Sequence, residues 1–343
     1  MSKKIGRRSS LSATAFAVAL SVLVVPFATQ AEAANGWSPE LSNGSQVHTH
    51  RISQARDPNN NLVDVWLDGQ GSINIAYNNR RAQTWTGAVS AVAPRVVYTD
   101  FGWRVFHTGT DGHIYYAGFQ VNSDQTLTLG SWQQIPGNVT TSRAPAVTAL
   151  HGSHGEEWML AYRGNDARIY TQYHTRGSGQ QGQGTFNTPL PIASATSDHG
   201  PDVALNPASN GISVIWTGSN NSPNVWESHQ TYGSPSWSPA RSVVTAPGPN
   251  ISEPAIAFTV DTRIAEIVVG SFTNGDATYY GAPERLSSDG LIAAGGSHVV
   301  INEQFETNDP PVLSPQGNQI WGIGTDPNGN AFYKNFTHDS DEL

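Results

Sequence analysis

From Val47 onward, apolar residues come in short runs broken by Gly, Asn, Asp and Pro, without the three-and-four spacing of an amphipathic helix. The pattern is clearest from Ala93, where APRVVYT, WRVFHTGTDGHIYYAGF and GSWQQIPG follow one another. These contain four strand-like runs, and Asp111-Gly112 joins the middle two as a tight hairpin turn. The unit returns as RAPAVTAL, EWMLAYRG, ARIYTQY and TFNTPLPI from Arg143, and as GPDVALNP, ISVIWTG, NVWESHQ and PSWSPARSV from Gly200. It returns again as EPAIAFTV, AEIVVGS, ATYYGAP and SHVVI from Glu253. An earlier copy, VHTHRIS, LVDVWLDG, INIAYNN and TWTGAVSAV, starts at Val47. The third runs recur at Ile73, Ile114, Ile169, Val225, Thr278 and Phe332, a spacing of 41 to 56 residues.

The last copy, DPPVLSP, QIWGIGT and NAFYKNF, lacks a fourth run. The phrase GWSPELS at residues 36–42, close kin to PSWSPARSV, stands alone at the other end and supplies it. Four-stranded units repeated at this period predict an all-β, closed six-bladed β-propeller whose N-terminal strand completes the last blade. Seven blades is the alternative count, and a tandem of β-sandwiches is the other all-β arrangement. GSGQQGQG (177–184) and ERLSSDGLIAAGG (284–296) fall between runs and read as loops.

The first 33 residues do not belong to this pattern. Lys3, Lys4, Arg7 and Arg8 precede the apolar run AFAVALSVLVVPFA, and Ala31-Glu32-Ala33 forms a small-residue cleavage site. Residues 1–33 therefore read as a signal peptide, with Arg7-Arg8 suiting either the twin-arginine or the general route. Residues 34–343 are expected to form a single propeller domain, secreted and either free or associated with the cell wall. No later run is long enough to span a membrane.

The chain carries a formal net charge of −9, and loss of the basic leader makes the remainder more acidic. Such a surface repels nucleic acid. With no cysteine, the fold has no disulfide and must rest on its core. No cofactor motif is present, and a monomer is expected.

Several constellations are candidates for chemistry. Arg51, Arg95 and Arg143 lie in or just before the first strands of successive units, where they either converge on an anion or pair with the many acids. Trp66, Trp103, Trp158 and Trp216, with Trp321, lie at the second strands. They either pack between adjacent blades or offer ring faces to a sugar. Asp57 to Asn61 and Asp326 to Asn330 place oxygen ligands at alternate positions, but lack the Gly and distant Glu of a calcium loop. His48 with His50, and His151 with His154, lack a third partner for zinc. Asp64, Asp202, Glu253 and Asp309 lie near first strands of different units, and glycoside hydrolysis would need two of them about 5–10 Å apart.

The unit Pro-Ala-Val, Arg-Gly-x-Asp-x-x-Ile-Tyr, Trp-x-x-(Ile/Val)-Pro-Gly is kept best over 93–137 and in part over 143–192. It resembles the tectonin-like and fucose-binding propeller lectins. That resemblance implies sugar pockets between blades, with aromatic and Arg/Glu contacts; no complete pocket motif is present, so no binding residue is carried over. The exported profile is also similar to the dispase autolysis-inducing type of propeller. That implies a substrate of an extracellular transglutaminase and a modulator of a secreted metalloprotease. Gln180, Gln181 and Gln183 would then be acyl donors, although Lys334 is the single lysine left after the leader. The expectation is a secreted, non-catalytic protein binding carbohydrate or an extracellular protein. The transglutaminase-type partner is the next reading, and a glycoside hydrolase-like propeller the third.

Overall fold

The computed structural model describes residues 36–337 apart from 38–40, 48–49, 79, 81, 139, 151–155, 177–183, 207–210, 232–233, 235, 246–250, 259–263, 274–275, 286–298, 306–310, 317–318 and 326–329. Only the backbone is described within 36–51, at 156 and 316, and within 264–266, 269–305 and 319–337. All described residues belong to the unit Ala33–Leu343.

The described residues form six antiparallel sheets and no helix. Two N-terminal strands, β1 (Gly36–Trp37) and β2 (Leu41–Val47), precede the first sheet. That sheet is β3 (His50–Arg56), β4 (Leu62–Leu67), β5 (Ser72–Tyr77) and β6 (Gln83–Val89). The second is β7 (Arg95–Thr99), β8 (Gly102–Thr108) and β9 (Ile114–Val121), with β10 (Leu127–Leu129) and β11 (Gln133–Gln134) both paired to β9. The third is β12 (Ala146–Ala149), β13 (Glu156–Arg163) and β14 (Arg168–Thr175), with β15 (Thr185–Phe186) and β16 (Leu190–Thr196) both on β14.

The fourth sheet is β17 (Asp202–Asn206), β18 (Gly211–Thr217), β19 (Asn224–Thr231) and β20 (Arg241–Thr245). The fifth is β21 (Ala255–Phe258), β22 (Ile264–Thr273), β23 (Asp276–Arg285) and β24 (Val299–Phe305). In the sixth, β25 (Val312–Gln316), β26 (Gln319–Thr325) and β27 (Asn330–Thr337) are joined by β1 and β2, both paired to β27. Gly36 and Trp37 face Thr337 and Phe336, and Leu41 faces Tyr333.

The core lies between successive sheets rather than at one centre. Val63, Val65, Ile73 and Trp85 of the first sheet pack on Val96, Trp103, Val105 and Phe119 of the second. Phe106, Ile114 and Tyr116 of the second pack on Val147, Trp158 and Leu160 of the third. Met159 and Ile169 of the third meet Ile212, Val214 and Trp216 of the fourth, whose Ile215 and Val225 meet Ile256 and Ile267 of the fifth. Side chains alternate across a strand, so neighbours such as Val105 and Phe106 serve opposite interfaces. A sheet covered on both faces buries both sets, which is why β18 is buried along its whole length. Each such aromatic or branched aliphatic side chain contributes about 1.5–3 kcal/mol on burial.

Five of the first strands begin just after a proline, at Pro94, Pro145, Pro201, Pro254 and Pro311. Lacking an N–H, proline fits the start of a strand on a free edge. The neighbouring first strand occupies that edge with side chains. Val96 N donates to Ser53 Oγ (3.1 Å), Leu205 N to Thr148 Oγ1 (3.2 Å) and Ile256 N to Asp202 Oδ2 (2.9 Å). First strands touch in succession, β3 with β7, β7 with β12, β12 with β17, β17 with β21 and β21 with β25, and β25 touches β3.

The turn between second and third strands is built alike in three sheets. Gly71 N donates to Asp68 O, Gly112 N to Gly109 O and Ala167 N to Gly164 O. The donor residue has φ of 80°, 81° and 67°. Glycine takes this left-handed conformation without strain, whereas Ala167 takes it at a cost. Asp111 and Asp166 brace two of these turns, accepting from Tyr115 Oη (2.7 Å) and Tyr170 Oη (2.8 Å).

Candidate functional site

Two cavities and two buried carboxylate networks hold the chemistry that the described residues bring together. The first cavity, of about 320 Å³, is bordered by the first strands of all six sheets. Arg95 and Asp202 line it, each placed just after its strand's proline. The Arg95 guanidinium makes no hydrogen bond and no ion pair among the described residues, and its Nη1 is shut off from solvent without an acceptor. Asp202 keeps part of its surface yet lies deep among the strands. Burial pushes its carboxyl up to about 6, against the Arg95 charge and the Ile256 and Val203 amides, and Glu253 adds to the rise. Glu253 Oε1 accepts from Gly200 N at 3.1 Å. Beside it, burial and then the Arg143 charge hold His199 below the usual imidazole range, while Glu253 and Asp198 oppose the shift.

The second cavity, of about 730 Å³, is a cleft between the first two sheets. Tyr77, Arg80, Gln83 and Thr84 line one wall, and the β9–β10 hairpin, Asp124 to Leu127, lines the other. Gln83 Oε1 is buried and meets no donor among the described residues. Asp124 accepts from the hydroxyl (2.7 Å) and the amide (3.0 Å) of Thr126, which together hold its carboxyl below the ordinary range. Thr84 Oγ1 donates to Asn74 Oδ1 at 2.8 Å.

The two networks lie on strands. Glu157 of β13, 1% exposed, meets Arg104 Nη2 at 2.5 Å, Thr99 Oγ1 at 2.9 Å and His174 Nδ1 at 3.2 Å. Burial pulls this carboxyl upward, but the His174 contact, the Arg104 charge and the Thr99 hydroxyl outweigh it and hold it below the ordinary range. His174 stacks on Trp158, ring centroids 4.7 Å apart. Glu227 of β19 accepts from Arg241 Nη2 (2.6 Å) and Nε (3.0 Å) and from Ser213 Oγ (2.7 Å). Neither Glu157 nor Glu227 stands out in the sequence: Glu157 follows a second acid, Glu156, and Glu227 opens the polar stretch Glu227 to Gln230.

The structure distributes the residues singled out by the sequence. Trp66, Trp103, Trp158 and Trp216 keep only 6, 4, 0 and 2% of their surface, with their rings inside the layers between sheets. Arg95 lines the first cavity, whereas Arg143 precedes β12 and its carbonyl accepts from Thr108 Oγ1. Arg51 lies on β3, with its side chain outside the described atoms, as are those of His50 and Trp321. Asp57 turns its oxygens into its own loop, accepting from Asn59 N, Asn61 N and Asn61 Nδ2. Asp64 accepts from Gln54 Nε2 at 2.7 Å. His48, His151, His154, Gln180, Gln181, Gln183, Asp309 and the 326–329 segment lie outside the described residues. Among the described residues no cluster of three or more His, Asp or Glu is placed to hold a metal, and no helix is long and apolar enough to cross a membrane.

Residues 247–342 match the family model described as the CLU5d N-terminal domain. No curated protein matches the chain in sequence. Among solved structures, the chain is similar to a protein of unknown function from Dyadobacter fermentans, with a TM-score of 0.61 and 9% identity over 88% of this chain and 98% of that one. It is similar to NanB with Optactamide (TM-score 0.53, 7% identity, 87% of this chain and 70% of that one). It is also similar to the SapL1 lectin in complex with alpha methyl fucoside (TM-score 0.51, 14% identity, 80% of this chain and 88% of that one). At these identities the likeness is one of fold: an all-β, propeller-like architecture that a lectin also uses.

Proposed function

We propose that the protein is an exported, monomeric, non-catalytic carbohydrate-binding protein. In this reading residues 34–343 form one closed six-bladed propeller, and the cleft between the first two sheets holds the sugar. The succession of first-strand contacts from β3 through β25 and back to β3 supports closure, as does the pairing of β1 and β2 with β27.

The observation that carries the binding reading is the cleft itself. A pyranose presents many hydroxyls, so it needs donors and acceptors spaced along both walls of a groove. Tyr77, Arg80, Gln83 and Thr84 face Asp124 and Thr126 across one. Gln83 Oε1 is an acceptor cut off from water, and a sugar hydroxyl would relieve the cost of leaving it unpaired. The carboxylate of Asp124, kept ionised by Thr126, is a strong acceptor for a second hydroxyl.

The test is a glycan array followed by calorimetry on the mature protein. Gln83→Ala and Asp124→Ala should each weaken the best glycan about tenfold, without lowering the melting temperature. An array with no ligand, or affinity untouched by both substitutions, would overturn the assignment.

A further inference from the structure

We propose that the cavity bounded by the six first strands is a second, separate binding site, taking a small zwitterion with an apolar side chain. Its carboxylate would lie at Arg95 and its ammonium at Asp202.

The argument begins with Arg95. A guanidinium carries five donors in a flat fork that matches a carboxylate, and removing it from bulk water without an acceptor is costly. Arg95 lines the cavity with no hydrogen bond and no ion pair among the described residues. The opposite charge is near. Asp202 feels the Arg95 charge, yet no direct ion pair joins them. β7 and β17 both touch β12, whose residue at the same place in the strand is the small Ala146. The residue after the proline in β21 is likewise small, Ala255. Two opposite charges at one level, kept apart by small residues, leave room for a group that carries both charges itself.

The remaining walls specify the rest of the ligand. Further along the same strands the lining is mostly apolar, with Val97, Ala149, Ala204, Ala257 and Leu313, and Arg56 stands at the far end of β3. An apolar pocket with a few convergent polar groups is the usual design for a small-molecule site, and about 320 Å³ is at the small end of that range. A free α-amino acid with a branched aliphatic side chain satisfies both features. A sugar satisfies neither the charge pair nor the apolar walls. The site therefore stands apart from the outer cleft.

The test uses the mature protein at pH 7.5 with L-leucine as the probe, read by calorimetry. L-leucine should bind. Its methyl ester, which lacks the carboxylate, and its N-acetyl derivative, which lacks the ammonium, should each bind at least tenfold more weakly. Arg95→Gln should give the same loss, and so should Asp202→Asn, which keeps an oxygen for the Ile256 amide. Because Arg95 supports no hydrogen bond, its replacement should leave the melting temperature unchanged. Any glycan binding at the outer cleft should survive both substitutions. Absence of leucine binding, equal affinity for leucine and both derivatives, or affinity unchanged in both variants would overturn the proposal.

Discussion

Asp64 shows how one side chain can cost stability while appearing well housed. It sits in the middle of β4, 3% exposed, with Gln54 Nε2 donating to Oδ1 at 2.7 Å. Burial pushes its carboxyl up to about 6, and the Gln54 bond and Arg56 charge lower it only in part. In the unfolded chain the same group titrates near pH 4, about 3.9. The folded state therefore binds more protons between these values. The contribution of Asp64 to stability falls as pH rises through that window, reaching a cost of about 3 kcal/mol once the acid is ionised in both states. Asp64→Asn keeps an oxygen for Gln54 and removes the charge. Thermal melts should show the variant more stable than the parent at pH 7.5, with the gain gone at pH 4. Equal destabilisation at both pH values would mean that ionisation of Asp64 is not coupled to folding.

Among elements, the bond between the second and third sheets concentrates on Glu157. Arg104 and Thr99 reach it from the second sheet and His174 from its own. Removing one side of a buried ion pair strands the other charge. Glu157→Ala should therefore cost about 3–5 kcal/mol in urea unfolding, against about 1 kcal/mol for Thr99→Val, which loses one neutral donor. A smaller loss for Glu157→Ala than for Thr99→Val would assign the adhesion of the two sheets to their apolar layer alone. This network marks where sequence reading stops. The local chemistry was legible: the Asp111-Gly112 turn and the recurrence of third strands both follow from short-range rules. Thr99 and Glu157, however, are 58 residues apart and meet only because adjacent sheets stack face to face. The orientation of Trp66, Trp103, Trp158 and Trp216 depends on the same stacking, so periodicity located those rings without deciding which interface would cover them. Irregular edges were also beyond reach. The PSWSPARSV phrase becomes regular strand only from Arg241, since Pro239 brings no N–H to the ladder.

At the scale of the whole molecule, the two ends of the folded unit share one sheet, and a chain without cysteine has only noncovalent pairing to hold them there. Trp37 and Phe336 are register partners across the antiparallel β1–β27 pair. Opposed Cα atoms in such a ladder lie about 4.5–5.5 Å apart, inside the range a disulfide spans. With no native thiol to compete, Trp37→Cys with Phe336→Cys should oxidise to a single intramolecular bridge. That bridge encloses nearly the whole domain, and the entropy removed from the unfolded chain sets an upper limit of about 6 kcal/mol on the stabilisation. The oxidised form should melt well above the reduced form and above either single variant, and a reducing agent should abolish the gain. Each single substitution also reports on the pairing, because either alone weakens the contact without supplying the bridge. A double variant that stays reduced under mild oxidation, or that links only between molecules, would place the N-terminal strand away from the last sheet in solution. A bridge that forms without raising the melting temperature would mean that the fold first opens at some other junction between sheets.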